Sequence, residues 1–274
     1  MSIKITPFTK TFGAEIIGLD PGKLLNEQNA ELLREVWLKY GVIFIRGYRL
    51  SDTEHASLCS NFGNIQVERT APESESQSHP GMLFVSNFKE NAILPGGKMW
   101  FHSDQCYFAT PVSATSLYAI EIPSEGGNTV FCNCSEAYDD LPKNLKATLS
   151  EKLALNVYDY QSNNRYTKTE ERTLGAPSAV HPIVRTHPET GRKSLFINRL
   201  MTDYIIDVER DFSNQLLEDL FNHMESKKYL YEHKWKPNDL AIWDNRCTLH
   251  ARTDFDLKER RLLRRYAVEG EKPF

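Results

Sequence analysis

The sequence predicts a mainly β protein of the jelly-roll or β-sandwich type with a few flanking helices. Short β-like runs recur after residue 80: MLFVSN (82–87), ATSLYAIEI (114–122), NTVFCN (128–133), SLFIN (194–198), LAIWDN (240–245) and RLLRRYAV (261–268). Turn formers break several of them apart, PSEGG before 128 and HPETGRK before 194. Helical patterns are few and sit mainly near the N-terminus. Many short strands with punctuating turns and few helices are the pattern of closed or double-layered antiparallel folds.

The N-terminal quarter reads as helix, strand, helix. QNAELLREVWLKY (28–40) carries apolar residues at helical spacing, and Gly41 is placed to cap it. VIFI (42–45) is a short buried strand. Ser51 and Glu54 make a capping box that opens a helix running to about Phe62. A last helix is expected over about 213–226. Two polar stretches, near 66–98 and 161–178, read as long loops of the kind that form active-site lids. No shift in composition marks a boundary, so residues 1–274 are expected to form one domain.

Composition is that of a soluble globular chain, 40% hydrophobic and 26% charged. No apolar run approaches the length of a membrane span, and the first residues lack the apolar core of a secretory signal. The formal net charge of −4 argues against a nucleic-acid partner. Five cysteines without a C-x-x-C pair suggest neither a disulfide framework nor a zinc knuckle, so a cytoplasmic location is expected. A homo-oligomer remains compatible with all of this.

Chemistry enters with His102-Ser103-Asp104. Eight histidines and 37 acidic residues in 274 positions predict about one H-x-[DE] match by chance, and three occur. His187/Glu189 falls in a turn, and His223/Glu225 falls on a helix, where residues two apart diverge. His102 and Asp104 fall in the strand-like run KMWFHSDQCYF, where residues two apart share a face. One further imidazole would complete a 2-His-1-carboxylate facial triad, the signature of non-haem Fe(II) oxygenases. His250, at the end of the run AIWDNRCTLH, is the best candidate. Asp244 and Asn245, just before it, are read as hydrogen-bonding supports. Strand alternation in RLLRRYAV puts Arg261 and Arg265 on one side. If that side faces the interior, each guanidinium needs an anionic partner.

From W-F-H-S-D onward, the pieces E-I-P-S-E-G-G-N-T, H-P-I-V-R-T-H-P-E-T-G-R-K-S-L-F-I-N, A-I-W-D-N-R-C-T-L-H and E-R-R-L-L-R-R follow in order. With the earlier G-A-E-I-I-G-L-D and Y-G-V-I-F-I-R-G, they resemble the taurine dioxygenase and chlorophenoxyacetate dioxygenase family of Fe(II)/2-oxoglutarate-dependent oxygenases. The resemblance spans almost the whole chain. It implies a double-stranded β-helix, or jelly roll, with iron held by His102, Asp104 and His250. It also implies that Thr129 and Arg261 bind 2-oxoglutarate, and that Arg265 meets an anionic group on a small-molecule substrate. Met201 stands where the taurine enzyme has an aromatic residue near the substrate, and Phe101 where the family has Trp before the histidine. Lys98, just before the metal run, is a further candidate for an anionic substrate. The implied reaction uses dioxygen, releases succinate and CO2, and hydroxylates the substrate. Desaturation, cyclisation or stereospecific hydroxylation of an amino-acid-like molecule is the alternative on the same site. A zinc hydrolase or a non-catalytic binding module are the remaining rivals, and retention of Asp104 disfavours halogenation.

Overall fold

The computed structural model describes residues 3–67, 80–90, 92–93, 96–158 and 176–274. The lid expectation near 161–178 therefore falls largely outside the described residues, as does 68–79 of the one near 66–98, whose described part includes the strand Leu83–Ser86. Local chemistry sets the first elements. An antiparallel hairpin of β1 (Lys4–Pro7) and β2 (Ala14–Ile17) leads to α1 (Glu27–Tyr40). Asn26 caps α1 by accepting the Asn29 amide, and Gly41 ends it at φ 71°, a left-handed conformation that suits a residue without Cβ. β3 (Val42–Ile45) is buried throughout. The capping box opens α2 (Asp52–Cys59): Ser51 accepts the Glu54 amide and Glu54 accepts the Ser51 amide. A 3-10 turn, Ser60–Phe62, carries it to the expected end.

The remaining strands are β4 (Leu83–Ser86), β5 (Met99–His102), β6 (Ala114–Glu121), β7 (Thr129–Asn133), β8 (Leu153–Val157), β9 (Ser178–Pro182), β10 (Val184–Thr186), β11 (Lys193–Leu195), β12 (Thr202–Ile205), β13 (Leu230–His233), β14 (Leu240–Asp244), β15 (Thr248–Arg252) and β16 (Leu262–Val268). Between β7 and β8 lie α3 (Cys134–Asp139) and α4 (Lys143–Leu149), and α5 (Arg210–Met224) precedes β13. Two sheets dominate: a seven-stranded sheet ordered β1-β2-β3-β14-β6-β16-β4 and a four-stranded sheet ordered β13-β7-β15-β5. Among the described residues, only β2 and β3 of their strands pair in parallel.

The two sheets meet in an apolar layer. Phe44, Leu117, Trp243 and Leu263 of the large sheet join Phe131 of the small one, with Phe131 edge-on to both Phe44 and Trp243. Helices cover both outer faces: Leu33 and Trp37 of α1 and Leu58 of α2 against the large sheet, Leu217, Leu220 and Phe221 of α5 against the small one. This is the jelly roll that the many short strands, with few helices, predicted. Among the described residues no helix is long and apolar enough to cross a membrane.

β16 shows how alternation divides charge between the faces. Leu263 enters the apolar layer between the sheets, while Arg264 points outward beneath α2. Its guanidinium donates to Nδ1 of His55 at 3.1 Å and to the Leu50 carbonyl at 2.9 Å, and pairs with Asp52. An arginine can only donate, so Nδ1 of His55 accepts and the proton sits on Nε2, which faces the Ser116 hydroxyl at 2.7 Å. Burial, then the Arg264 charge, pushes the His55 pKa well below its ordinary value. Unfolded, the same residue gains its proton near pH 6.5. The unfolded chain therefore binds more protons as pH falls below about 6.5, and stability is lost in that direction. Between pH 6.5 and 5, replacing His55 by Gln should flatten the pH dependence of the unfolding free energy by up to about 1.4 kcal/mol per pH unit, read by urea titration of metal-free protein. Equal slopes for both proteins would mean that folded His55 takes up the proton.

Candidate metal centre

Register brings the two imidazoles together. His102 ends β5 and His250 stands mid-strand in β15, directly opposite it in the antiparallel pair. The ring centroids are 4.1 Å apart. The run AIWDNRCTLH is thus two strands, β14 and β15, rather than one, and His250 is central in the second. His102 donates from Nδ1 to the Trp100 carbonyl at 2.9 Å, since a carbonyl only accepts. That fixes the tautomer and presents the lone pair of Nε2 towards Asp104.

Asp104 reaches the site by a different route from the one expected. β5 stops at His102, and the chain turns at Asp104 with Gln105 at φ 59°. A shared strand face therefore does not explain the His102/Asp104 pairing. Asn245 supplies what the lost strand partner would have supplied. Its Oδ1 accepts the Asp104 amide at 2.9 Å, and its Nδ2 donates to the carbonyls of Asp104 at 2.9 Å and Val112 at 3.0 Å.

The Asp104 carboxylate is divided between two tasks. Oδ1 faces Nε2 of His102 at 3.8 Å and Nε2 of His250 at 3.9 Å. Oδ2 accepts from the Thr115 hydroxyl at 2.8 Å and from Nη2 of Arg265 at 3.0 Å. One oxygen is left for an ion, which favours monodentate binding and keeps coordination positions open. Burial, then the neighbouring His102, pulls the His250 pKa down to about 3, and burial lowers His102 as well. Burial alone would raise Asp104, but Arg265, His250 and His102 together outweigh it and hold the carboxylate well below its usual range. Two neutral imidazoles and one ionised carboxylate are the states metal ligation requires. Their ligand atoms lie within 4.8 Å of one another, so this donor set fits a divalent iron centre.

Beside the triad the cavity is lined by Thr129, Arg252, Arg261 and Arg265. Arg261 donates from Nε and Nη2 to the Gly127 carbonyl at 3.1 and 3.0 Å, and among the described residues no carboxylate meets it. Burial, then the Arg252 charge, brings its pKa down to about 9. Glycine suits position 127: its φ is 62°, and a Cβ would stand 3.0 Å from Nε of Arg261 and press on the guanidinium. Arg252 holds the Gly96 and Gly97 carbonyls at 2.6 and 2.8 Å, and burial lowers it to about 10 against the opposing charge of Asp254. Thr129 lies opposite Arg252 in the sheet register.

The other expected residues are placed differently. Arg265 was read as awaiting a substrate anion, but its guanidinium is engaged by Asp104. Met201 is fully buried, with its sulfur 3.5 Å from that of Cys106, and does not line this cavity. Lys98 is exposed and lines an adjoining groove with Trp100, Glu225 and Arg252. A second cluster, His187, Asp244 and Cys247, is an ion-pair network: both Asp244 oxygens are taken by Arg246, and Oδ2 also meets His187 at 2.9 Å. Reading from sequence missed Thr115 and Arg252, since no motif spacing marks a residue that acts from a neighbouring strand.

Two imidazoles and one carboxylate between the sheets of a jelly roll, with a buried arginine waiting beside them, define a non-haem iron oxygenase. Residues 4–266 match the family described as taurine catabolism dioxygenase TauD, TfdA family, and the chain belongs to it. It is 30% identical to the (S)-phenoxypropionate/alpha-ketoglutarate-dioxygenase of Sphingobium herbicidovorans over 97% of this chain and 95% of that one. It is 26% identical to the alpha-ketoglutarate-dependent 2,4-dichlorophenoxyacetate dioxygenase of Cupriavidus pinatubonensis, over 97% of each chain. The solved structure of AAD-2 in complex with Mn(II) and N-oxalylglycine superposes with a TM-score of 0.82 at 28% identity, covering 100% of this chain and 99% of that one.

Removing a group that orients a ligand typically weakens metal binding about 10- to 100-fold. Thr115→Val should therefore weaken Mn(II) binding by about 10-fold in calorimetric titration of metal-free protein, and Asp104→Ala should abolish it. Undiminished Mn(II) affinity in Asp104→Ala would remove the carboxylate from the centre.

Proposed function

We propose that this protein is an Fe(II)- and 2-oxoglutarate-dependent dioxygenase that hydroxylates a small organic anion, with release of succinate and CO2. The observation that carries the reading is Arg261, a buried guanidinium without a carboxylate among the described residues, in the same cavity as the His102, Asp104 and His250 triad. An uncompensated buried cation is costly, and a carboxylate matches its fork. Iron bound by the triad would couple the oxidative decarboxylation of 2-oxoglutarate to the activation of dioxygen. Arg261 and Thr129 would hold the distal carboxylate, which fixes the cosubstrate's other end towards the triad. Val85, Leu117 and Trp243 supply an apolar wall that excludes water.

Two lines support an anionic substrate. Three arginines line the cavity against the single carboxylate of Asp104, so with a divalent ion it stays positive after a dicarboxylate has bound. The two relatives named above are dioxygenases of phenoxypropionate and 2,4-dichlorophenoxyacetate, both carboxylates. On this reading Arg265 shares its guanidinium between Asp104 and the substrate's anionic group. Lys98 draws anions into the adjoining groove, and Met201 shapes the substrate side by supporting the turn after Asp104. We place the protein in the cytoplasm, where its five free thiols stay reduced.

Succinate release should be strictly dependent on Fe(II) and 2-oxoglutarate when aryloxyacids, sulfonates and amino acids are screened as substrates. Arg261→Ala should raise the KM for 2-oxoglutarate roughly 10- to 150-fold, the equivalent of one charge-assisted interaction. An unchanged KM, or turnover with Zn(II) alone, would contradict the proposal.

A further inference from the structure

The Thr129 hydroxyl is not free to choose its role. Trp235 is buried, and its indole Nε1 lies 3.0 Å from Oγ1 of Thr129. An indole N–H donates and cannot accept, so the Thr129 oxygen must be the acceptor in this pair. A hydroxyl carries one hydrogen, and that of Thr129 finds no acceptor among the described residues. Thr129 nevertheless lines the cavity with Arg261, whose hydrogens are likewise all donors. The indole is itself held in place. His233, opposite Thr129 in the register of β13 and β7, meets the Trp235 ring edge-on at 4.5 Å and stacks on Phe44 at 4.3 Å.

We infer that Trp235 is a positioning residue for cosubstrate recognition: it fixes the polarity of the Thr129 hydroxyl, so that this hydroxyl donates into the cavity and, with Arg261, makes one end of the site a purely donating clamp for a carboxylate. The inference rests on the proposed use of 2-oxoglutarate. Pre-setting the hydroxyl spares the ligand the cost of orienting it, which is preorganisation of the binding site. Without the indole N–H, the hydroxyl can turn away or accept, and the clamp loses one committed donor.

The test is a double-variant cycle on Mn(II)-loaded protein, with 2-oxoglutarate binding measured by calorimetry and folding checked by thermal unfolding. Trp235→Phe keeps the aromatic body and removes the N–H, and should weaken 2-oxoglutarate binding about 3- to 10-fold, the equivalent of one neutral hydrogen bond. Thr129→Val should weaken it at least as much. In the Thr129→Val background, Trp235→Phe should cost little more, because the hydroxyl it orients is already gone. Losses that multiply in the double variant, or wild-type affinity in Trp235→Phe, would overturn the inference. Should Trp235→Phe fail to fold, Trp235→His keeps an aromatic ring with an N–H donor: affinity closer to wild type than that of Trp235→Leu supports the inference, and equal losses in both overturn it. Arg261→Ala separates the two levels. If wild type and Arg261→Ala bind 2-oxoglutarate equally, or neither binds it, the cosubstrate reading fails. If they differ while the Trp235 cycle shows no coupling, only the role of Trp235 fails.

Discussion

The site depends on a carboxylate that serves two sets of partners at once. Asp104 offers Oδ1 to the space between His102 and His250 and gives Oδ2 to Thr115 and Arg265. A carboxylate that bound an ion through both oxygens would occupy a position that a cosubstrate or dioxygen needs. Holding one oxygen with two donors keeps the carboxylate turned and ionised, at the cost of burying a guanidinium beside the metal position. Each supporting group comes from a different element: Thr115 from β6, Arg265 from β16, and Asn245, which fixes the Asp104 backbone, from the turn after β14. All three belong to the large sheet or its turn, whereas His102 and His250 stand on the small one, so the centre exists only when both sheets are assembled.

Charge is distributed across the molecule by strand alternation. On β16, Arg264 is neutralised on the outer face by Asp52 and hydrogen-bonded to His55, whereas Arg265 on the inner face is neutralised by Asp104. Arg261, just before the same strand, meets the Gly127 carbonyl and the Phe255 ring, with no carboxylate among the described residues and the repulsion of Arg252. An arginine in that position costs stability in the empty protein and gains it when an anion binds, so folding and ligand recognition are linked through one residue. That contrast among three arginines of one strand segment is the physical basis for reading Arg261, and not Arg264, as the cosubstrate's partner.

Much of this was legible in the sequence where local rules decide. The Ser51/Glu54 capping box, the Gly41 cap and the alternation of 261–268 depend on neighbours a few residues away, and the structure follows them. What the sequence hid was non-local. The end of β5 at His102 depends on Asn245, 141 residues from Asp104, whose amide replaces a strand partner. The engagement of Arg265 by Asp104 depends on a contact across 161 residues, and the link from Trp235 to Thr129 spans 106. The short helices α3 and α4 escaped notice because each is under two full turns and too brief for periodicity to register. His102, Asp104 and His250 were found because the triad pairs a local motif with a distant histidine in a resembling segment. The supporting groups follow no comparable pattern.

The most direct test is a crystal structure of the protein loaded anaerobically with Mn(II) and 2-oxoglutarate. The expected result is one ion bound by Nε2 of His102, Nε2 of His250 and Oδ1 alone of Asp104, with Oδ2 still held by Thr115 and the distal carboxylate on Arg261 and Thr129. A bidentate Asp104, or a distal carboxylate bound away from Arg261, would contradict it.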